Sequence, residues 1–103
     1  MIRHLVWWTL APEAEGRTAA ENANLMKQQL ESLRGNIPGL LSIDVAVNFL
    51  DSSTLPVQVL LLTTHNNSED LAAYATHPDH VAIAVNLIKK VTTSRQAIDA
   101  VFA

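Results

Sequence analysis

Hydrophobic and polar residues alternate with a period of two along three segments of the chain, which predicts three β-strands. Ile2–Leu10 and Val57–Thr64 are apolar on both faces, whereas Leu41–Phe49 is apolar on one face only. A shorter apolar segment, Ser94–Ala103, predicts a fourth strand at the end of the chain. Strands that are apolar on both faces need cover on both sides.

A period close to 3.6 residues follows the first strand and predicts a helix. Thr18 and Glu21 have the spacing of a capping box at its start. Gly35 and Pro38 favour its end, because glycine accepts the left-handed conformation and proline cannot continue a helix. The apolar stripe of this helix consists of Ala19, Ala23, Met26, Leu30, Leu33 and Ile37.

A second helix is predicted from Ser68, which can cap it, and Pro78 interrupts it. Since proline has no amide proton and crowds the preceding turn, we expect a kink or a restart with Pro78 in a first turn. The order β-α-β-β-α-β predicts an α+β fold, a ferredoxin-like sandwich with a four-stranded antiparallel sheet under two helices. Residues 1–103 are expected to form this single domain.

Two helices can cover only one face of this sheet, and the other face carries Leu5, Trp7, Leu60 and Leu62. Apolar patches of this kind are typical of partner surfaces, so we expect a second copy of the chain to cover it in a symmetric homodimer. Neighbouring residues of a strand point to opposite faces. Trp7 is therefore expected to anchor the dimer, and Trp8 to line the core or a pocket.

Composition narrows the possible functions. The 103 residues include 7 basic and 10 acidic side chains, so no basic face is available for nucleic acid. The chain has no cysteine, which excludes disulfides, thiol catalysis and cysteine-ligated iron–sulfur clusters. No apolar stretch approaches the roughly 20 residues of a membrane span. We expect a cytoplasmic protein that binds neither nucleic acid nor membrane.

Three short motifs follow one another along the chain. They are Ile2-Arg-His4-Leu-Val, then Ile37-Pro-Gly39, and finally Tyr74-Ala-Thr-His77-Pro-Asp-His80-Val. In order and spacing they resemble the stress-responsive alpha-beta barrel (Dabb) family over nearly the whole chain. This resemblance implies a ferredoxin-like domain whose sheet meets that of a second copy in a dimeric α/β-barrel. The family includes stress-induced proteins, oligomeric stability proteins and plant polyketide cyclases.

Resemblance to the plant cyclases implies roles for individual residues. Tyr74 and His80 match a tyrosine and a histidine that act together in those enzymes. His4 matches a histidine of the first strand that lines the same pocket. Where the cyclases carry a histidine in the third strand, this chain has Val59, which implies a less polar pocket.

The chemistry expected of Tyr74 and His80 follows from their side chains. His80 would lie in the first turn of a helix after Pro78, where the helix dipole disfavours the imidazolium form. A neutral His80 could remove an acidic proton next to a carbonyl, while Tyr74 donates a hydrogen bond to the enolate oxygen. A β-dicarbonyl carbon is already acidic, so no cofactor is expected. Alternatively, Tyr74 is a core aromatic and His80 binds to backbone.

The remaining histidines carry weaker signals. His77 and His80 could hold a metal on one helical turn, but His4 is the only further candidate ligand, so we predict no metal site. His77 is instead expected at the pocket or as a cap of the restarted helix. His65 lies at the end of the third strand and is expected on the surface.

Three functions remain open from the sequence. The first is a cofactor-independent cyclase or lyase acting on a polyketide-like or β-dicarbonyl compound. The second is a non-enzymatic dimeric protein that binds a small apolar ligand or has a stress-related structural role. The third, by analogy of fold alone, is a cofactor-free monooxygenase.

Overall fold

Six strands and a series of helices follow one another in the structure, a computed structural model that describes residues 1–103. None of the helices is both long enough and apolar enough to cross a bilayer. The elements are β1 (Ile2–Leu10), β2 (Glu13–Ala14), β3 (Arg17–Thr18), α1 (Ala19–Glu31), β4 (Ser42–Ala46), β5 (Val59–His65), α2 (Ser68–Thr76), α3 (Pro78–Ile83), a π-helical turn (Ala84–Ile88), α4 (Lys89–Val91) and β6 (Thr92–Val101).

The four long strands form one antiparallel sheet in the order β4-β5-β1-β6, and β2 pairs with β3 in a separate short hairpin. The helices lie on one face of the sheet, which confirms the predicted ferredoxin-like α+β fold. In β1, His4 lies between Thr63 of β5 and Asp99 of β6. Trp8 lies between Val59 and Arg95 in the same way. This register decides which side chains meet under the helices.

Helix α1 begins at the predicted capping box. The Glu21 amide donates to Thr18 Oγ1 at 3.2 Å, and the Thr18 amide donates to Glu21 Oε1 at 2.9 Å. The helix ends at Glu31, earlier than its apolar stripe suggests. Leu33 and Ile37 are still buried, because the turns after the helix remain packed on the core.

The second helical region is broken where Pro78 predicts it. Helix α2 ends at Thr76, His77 has an extended backbone, and α3 restarts at Pro78. The cap of α2 is Asn67 rather than the expected Ser68, since the Asn67 side chain accepts a hydrogen bond from the first turn. The helix therefore begins at Ser68, one residue earlier than its predicted cap implies.

His65 is fully buried, so its predicted surface position is wrong. The alternation of β5 continues through His65 to the face that the helices cover. Its Nδ1 donates to the Gly39 carbonyl at 3.0 Å, and Thr63 Oγ1 donates to its Nε2 at 2.9 Å. Gly39 has a φ of 82°, and a Cβ there would lie 2.8 Å from Asp70 Cγ. Glycine at this position thus lets the chain approach both His65 and α2.

The opposite face of the sheet has no helix against it. Leu5, Trp7, Leu60 and Leu62 lie there and are half-buried. The segment between β4 and β5 covers part of this face, which the sequence did not indicate. This segment and the sheet face form an open groove of about 300 Å³, lined by Leu5, Trp7, Phe49, Ser53, Thr54, Leu55, Val57 and Leu60.

The burial of His65 has a consequence for stability that can be measured. Burial lowers the pKa of the His65 imidazole, so the native state keeps it neutral while the unfolded state binds a proton below its ordinary pKa of about 6.5. The free energy of unfolding should therefore fall as pH drops from 7 towards 5, by up to about 1.4 kcal/mol per pH unit for this proton.

His65→Gln should unfold more easily at pH 7 but show a shallower dependence on pH, measured by urea denaturation at several pH values. Thr63→Val is the matched control, because it removes a hydrogen bond to the same ring but keeps the titrating group. If the unfolding free energies of wild type and His65→Gln changed in parallel with pH, His65 would not be the source of the pH dependence.

Candidate functional site

A cavity of about 130 Å³ lies between β1 and the broken second helix. Its walls come from the helix-facing sides of β1, β5 and β6, from α1 and from the region between α2 and α4. Most of the lining is apolar, with a small number of polar groups, as is common for small-molecule sites. The lining residues are His4, Val6, Trp8, Leu30, Leu61, Tyr74, Ala75, His80, Ala84, Ile88, Lys89 and Arg95.

Tyr74 lies at the centre of the polar groups. It comes from α2, is fully buried, and its ring centroid lies 4.6 Å from that of His80, 5.4 Å from His65 and 6.2 Å from His4. Its hydroxyl has no hydrogen-bond partner in the protein. Burial raises the pKa of the Tyr74 phenol, so the hydroxyl keeps its proton and remains a donor.

The break at Pro78 brings His80 to Tyr74. In a continuous helix these two residues would be about 120° apart around the axis. Here the His80 Nδ1 donates to the Ala75 carbonyl at 3.0 Å, which leaves Nε2 as an acceptor. Burial lowers the pKa of the His80 imidazole, and the positive charge of Arg95 acts in the same direction. His80 is therefore a neutral base near pH 7.

His4 of β1 is held in place by Asp99 of the neighbouring strand β6. The His4 Nδ1 is hydrogen-bonded to Asp99 Oδ1, which fixes the tautomer and leaves Nε2 as an acceptor. Asp99 and Arg95 were not identified from the sequence. A signal existed: the two residues are four apart in a strand, so they share a face, and pairing with β1 places them beside His4 and Trp8.

Trp8 adds a second unpaired donor to the cavity wall. The side chain is almost fully buried, and its Nε1 has no hydrogen-bond partner in the protein. An indole nitrogen can only donate, so it is satisfied by an acceptor atom alone. A buried donor without a partner costs about 1–3 kcal/mol, which favours binding of a molecule that supplies oxygen atoms.

The structure thus brings together four of the residues singled out in the sequence: His4, Trp8, Tyr74 and His80. Two others do not line the cavity, which corrects the pocket position expected of them, although His77 has the alternative position expected of it, as a helix cap. Val59 is fully buried in the hydrophobic core next to Trp8. His77 turns away to cap α3, where its Nδ1 accepts from the Asp79 amide at 3.1 Å. No group of three or more histidine, cysteine or acidic side chains could hold a metal ion.

An antiparallel four-stranded sheet with its helices on one face defines a ferredoxin-like α+β domain, here with a cavity between the two layers that three of its polar residues, His4, Tyr74 and His80, line. The chain belongs to the Dabb family, the Stress Responsive A/B Barrel Domain, whose model matches residues 2–102. The family resemblance of the three motifs is thereby confirmed. No curated protein sequence matches the chain significantly.

Solved structures share the fold over almost the whole chain. A dimeric ferredoxin-like protein of unknown function from Bacteroides fragilis is 28% identical, with a TM-score of 0.82 over 98% of this chain and 95% of that one. A hydroxynitrile lyase from Passiflora edulis is 8% identical, with a TM-score of 0.75 over 99% and 93%. An antibiotic biosynthesis monooxygenase is 14% identical, with a TM-score of 0.71 over 100% and 99%. At these identities the last two indicate the fold alone.

Proposed function

We propose that this Dabb protein is a cofactor-independent acid–base enzyme that acts on a β-dicarbonyl, polyketide-like compound, as a cyclase or lyase. The observation that carries the proposal is the pair formed by Tyr74 and His80. A buried tyrosine whose hydroxyl has no partner has its ring 4.6 Å from a neutral imidazole, and Nε2 of that imidazole is free to accept a proton. A donor and a base on the same cavity wall are the two groups that enolisation needs.

The first step transfers a proton from the carbon between two carbonyl groups to Nε2 of His80. The electron pair of the broken C–H bond moves into the enolate, and the Tyr74 hydroxyl donates a hydrogen bond to the enolate oxygen. The high pKa of Tyr74 keeps its proton available for this bond. The enolate carbon can then attack a second carbonyl of the same molecule, or the reverse cleavage can release a fragment, with His80 returning the proton.

His4 is proposed to orient the substrate. Asp99 holds its Nδ1, so Nε2 of His4 can accept a hydrogen bond from an enol or hydroxyl of the bound molecule. The Tyr74 ring lies 4.6 Å from the His80 ring and 6.2 Å from the His4 ring, so the donor is close to both acceptors.

The proposal can be tested by hydrogen–deuterium exchange at the central carbon of ethyl acetoacetate in D2O, followed by proton NMR. His80→Gln should slow the catalysed exchange by about 100-fold or more, the usual effect of removing a general base. Tyr74→Phe should slow it by about 100-fold, because it removes an oxyanion donor.

The matched control is His77→Asn, which retains a good helix cap outside the cavity and should exchange as fast as wild type. Exchange in His80→Gln at the wild-type rate would remove His80 as the base. Binding of the ester without any accelerated exchange would favour the alternative of a non-enzymatic small-ligand-binding protein.

We further propose that the chain is a homodimer whose sheets pack face to face through Leu5, Trp7, Leu60 and Leu62. Support comes from the half-buried apolar face that no helix covers, and from the description of the Bacteroides fragilis relative as dimeric. We also propose that residues 1–103 form a single domain and that the protein is cytoplasmic, as expected from the sequence.

Trp7→Arg should shift the sedimentation coefficient from dimer to monomer, because a guanidinium would be buried without a partner in the centre of the interface. Val81→Arg is the control: Val81 is an exposed apolar residue of α3, in the helical layer away from this face. It should leave the dimer intact. A Trp7→Arg protein that still sediments as a soluble dimer would refute the proposed interface.

A further inference from the structure

Two residues that line the cavity, Trp8 and Tyr74, carry buried hydrogen-bond donors that no acceptor of the protein reaches, although Nε2 of His4 and of His80 is free. Trp8 Nε1 and the Tyr74 hydroxyl are buried and have no partner in the protein. The indole can only donate, and the Tyr74 hydroxyl keeps its proton. Both nitrogens of His65, the other buried histidine beside Tyr74, are already occupied by Gly39 and Thr63. Oxygen acceptors on a ligand are therefore the natural partners of both donors.

Two cationic side chains extend this donor set at the open side of the cavity. Arg95 is next to Trp8 in the register of β1 and β6, and Lys89 projects from α4. Both line the cavity, and neither takes part in an ion pair. The nearest carboxylate on the same face of β6 is Asp99, which is engaged by His4. The entrance thus has unneutralised positive charge.

We propose that the substrate of this site is an anion, a short β-keto carboxylate. Its keto oxygen accepts hydrogen bonds from Tyr74 and Trp8, and its carboxylate binds Arg95 and Lys89. This inference rests on the proposed function and adds to it the charge of the molecule that His80 deprotonates. Of the two ligand classes left open from the sequence, it favours the oxygen-rich, polyketide-like compound over the small apolar one.

Arg95 and Lys89 would also stabilise the doubly charged enolate that deprotonation of a β-keto carboxylate produces. Removing a proton next to a carboxylate creates a second negative charge on the same molecule, which is unfavourable in an apolar cavity. Arg95 and Lys89 offset that repulsion at the outer end, while Tyr74 and Trp8 stabilise the enolate oxygen at the inner end. The proton still goes to His80 Nε2, and no further reactant is needed.

The size of the cavity limits the enclosed part of the ligand. Its volume is about 130 Å³. An engineered protein cavity of about 150 Å³ holds one benzene molecule, so the enclosed part of the ligand has roughly the size of one small ring. Any longer substituent would have to leave past Arg95, over β6, whose residues are exposed on both faces. The carboxylate group and one ketone fit within this limit.

Acetoacetate and acetylacetone provide a matched pair of probes, because they differ only by a carboxylate oxygen in place of one terminal methyl group. Dissociation constants are measured for each by NMR titration near pH 7 at low ionic strength. Acetoacetate should bind about tenfold or more tightly than acetylacetone, the gain typical of a charge-assisted hydrogen bond. The double variant Arg95→Gln/Lys89→Gln should abolish this preference.

Lys90→Gln is the control, since Lys90 is the adjacent lysine, lies 4.0 Å from Glu15 and does not line the cavity. It should retain the full preference for acetoacetate. Arg95 and Lys89 are exposed and make no ion pair, so the double variant should fold, and its thermal unfolding verifies this. Equal affinities for the two probes in wild type would overturn the proposed anion, as would a preference that survives the double variant.

Deuterium exchange at the central carbon, recorded in the same samples, separates this inference from the proposed function. Selective, Arg95-dependent binding of acetoacetate without accelerated exchange would overturn the acid–base function and support the anion site. Accelerated exchange of both probes with equal affinities would support the acid–base function and overturn the anion site.

Discussion

The break of the second helical region at Pro78 is the constraint on which the candidate site depends. A proline at this position cannot donate to the preceding turn, so α2 ends at Thr76 and α3 starts afresh. The carbonyl of Ala75 then lacks a helical partner and accepts the Nδ1 proton of His80 instead. One backbone interruption thereby brings the His80 ring against Tyr74 and determines which of its nitrogens faces a ligand.

The number of hydrogen-bonded ring nitrogens distinguishes a structural histidine from two functional candidates. His65 is bonded at both nitrogens, to Gly39 and Thr63, so it can neither accept a proton nor bind a ligand without losing a contact. His80 and His4 are each bonded at Nδ1 only, one to a backbone carbonyl and the other to Asp99. Both keep Nε2 as an acceptor. Burial alone does not separate them, because His4 is buried like His65 whereas His80 is only half-buried.

The sequence indicates those features that depend on neighbours along the chain. The capping box at Thr18, the alternation of β1 and the restart at Pro78 are all local, and the structure has each of them. The pairing of β1 with β6 joins residues about ninety positions apart, and no local pattern specifies it. For this reason Asp99 and Arg95 were missed. His65 was misplaced because its burial depends on α2 folding back over the end of β5.

In the proposed function the cavity is a preorganised acid–base site, in which protein contacts set the state of each group before a ligand arrives. This function depends above all on His80 being a neutral base with Nε2 free. Nitrogen NMR of the imidazole rings tests this directly, since it reports both the charge and the position of the proton. We expect a neutral His80 at pH 7 with its proton on Nδ1. An imidazolium at that pH, or a proton on Nε2, would contradict it.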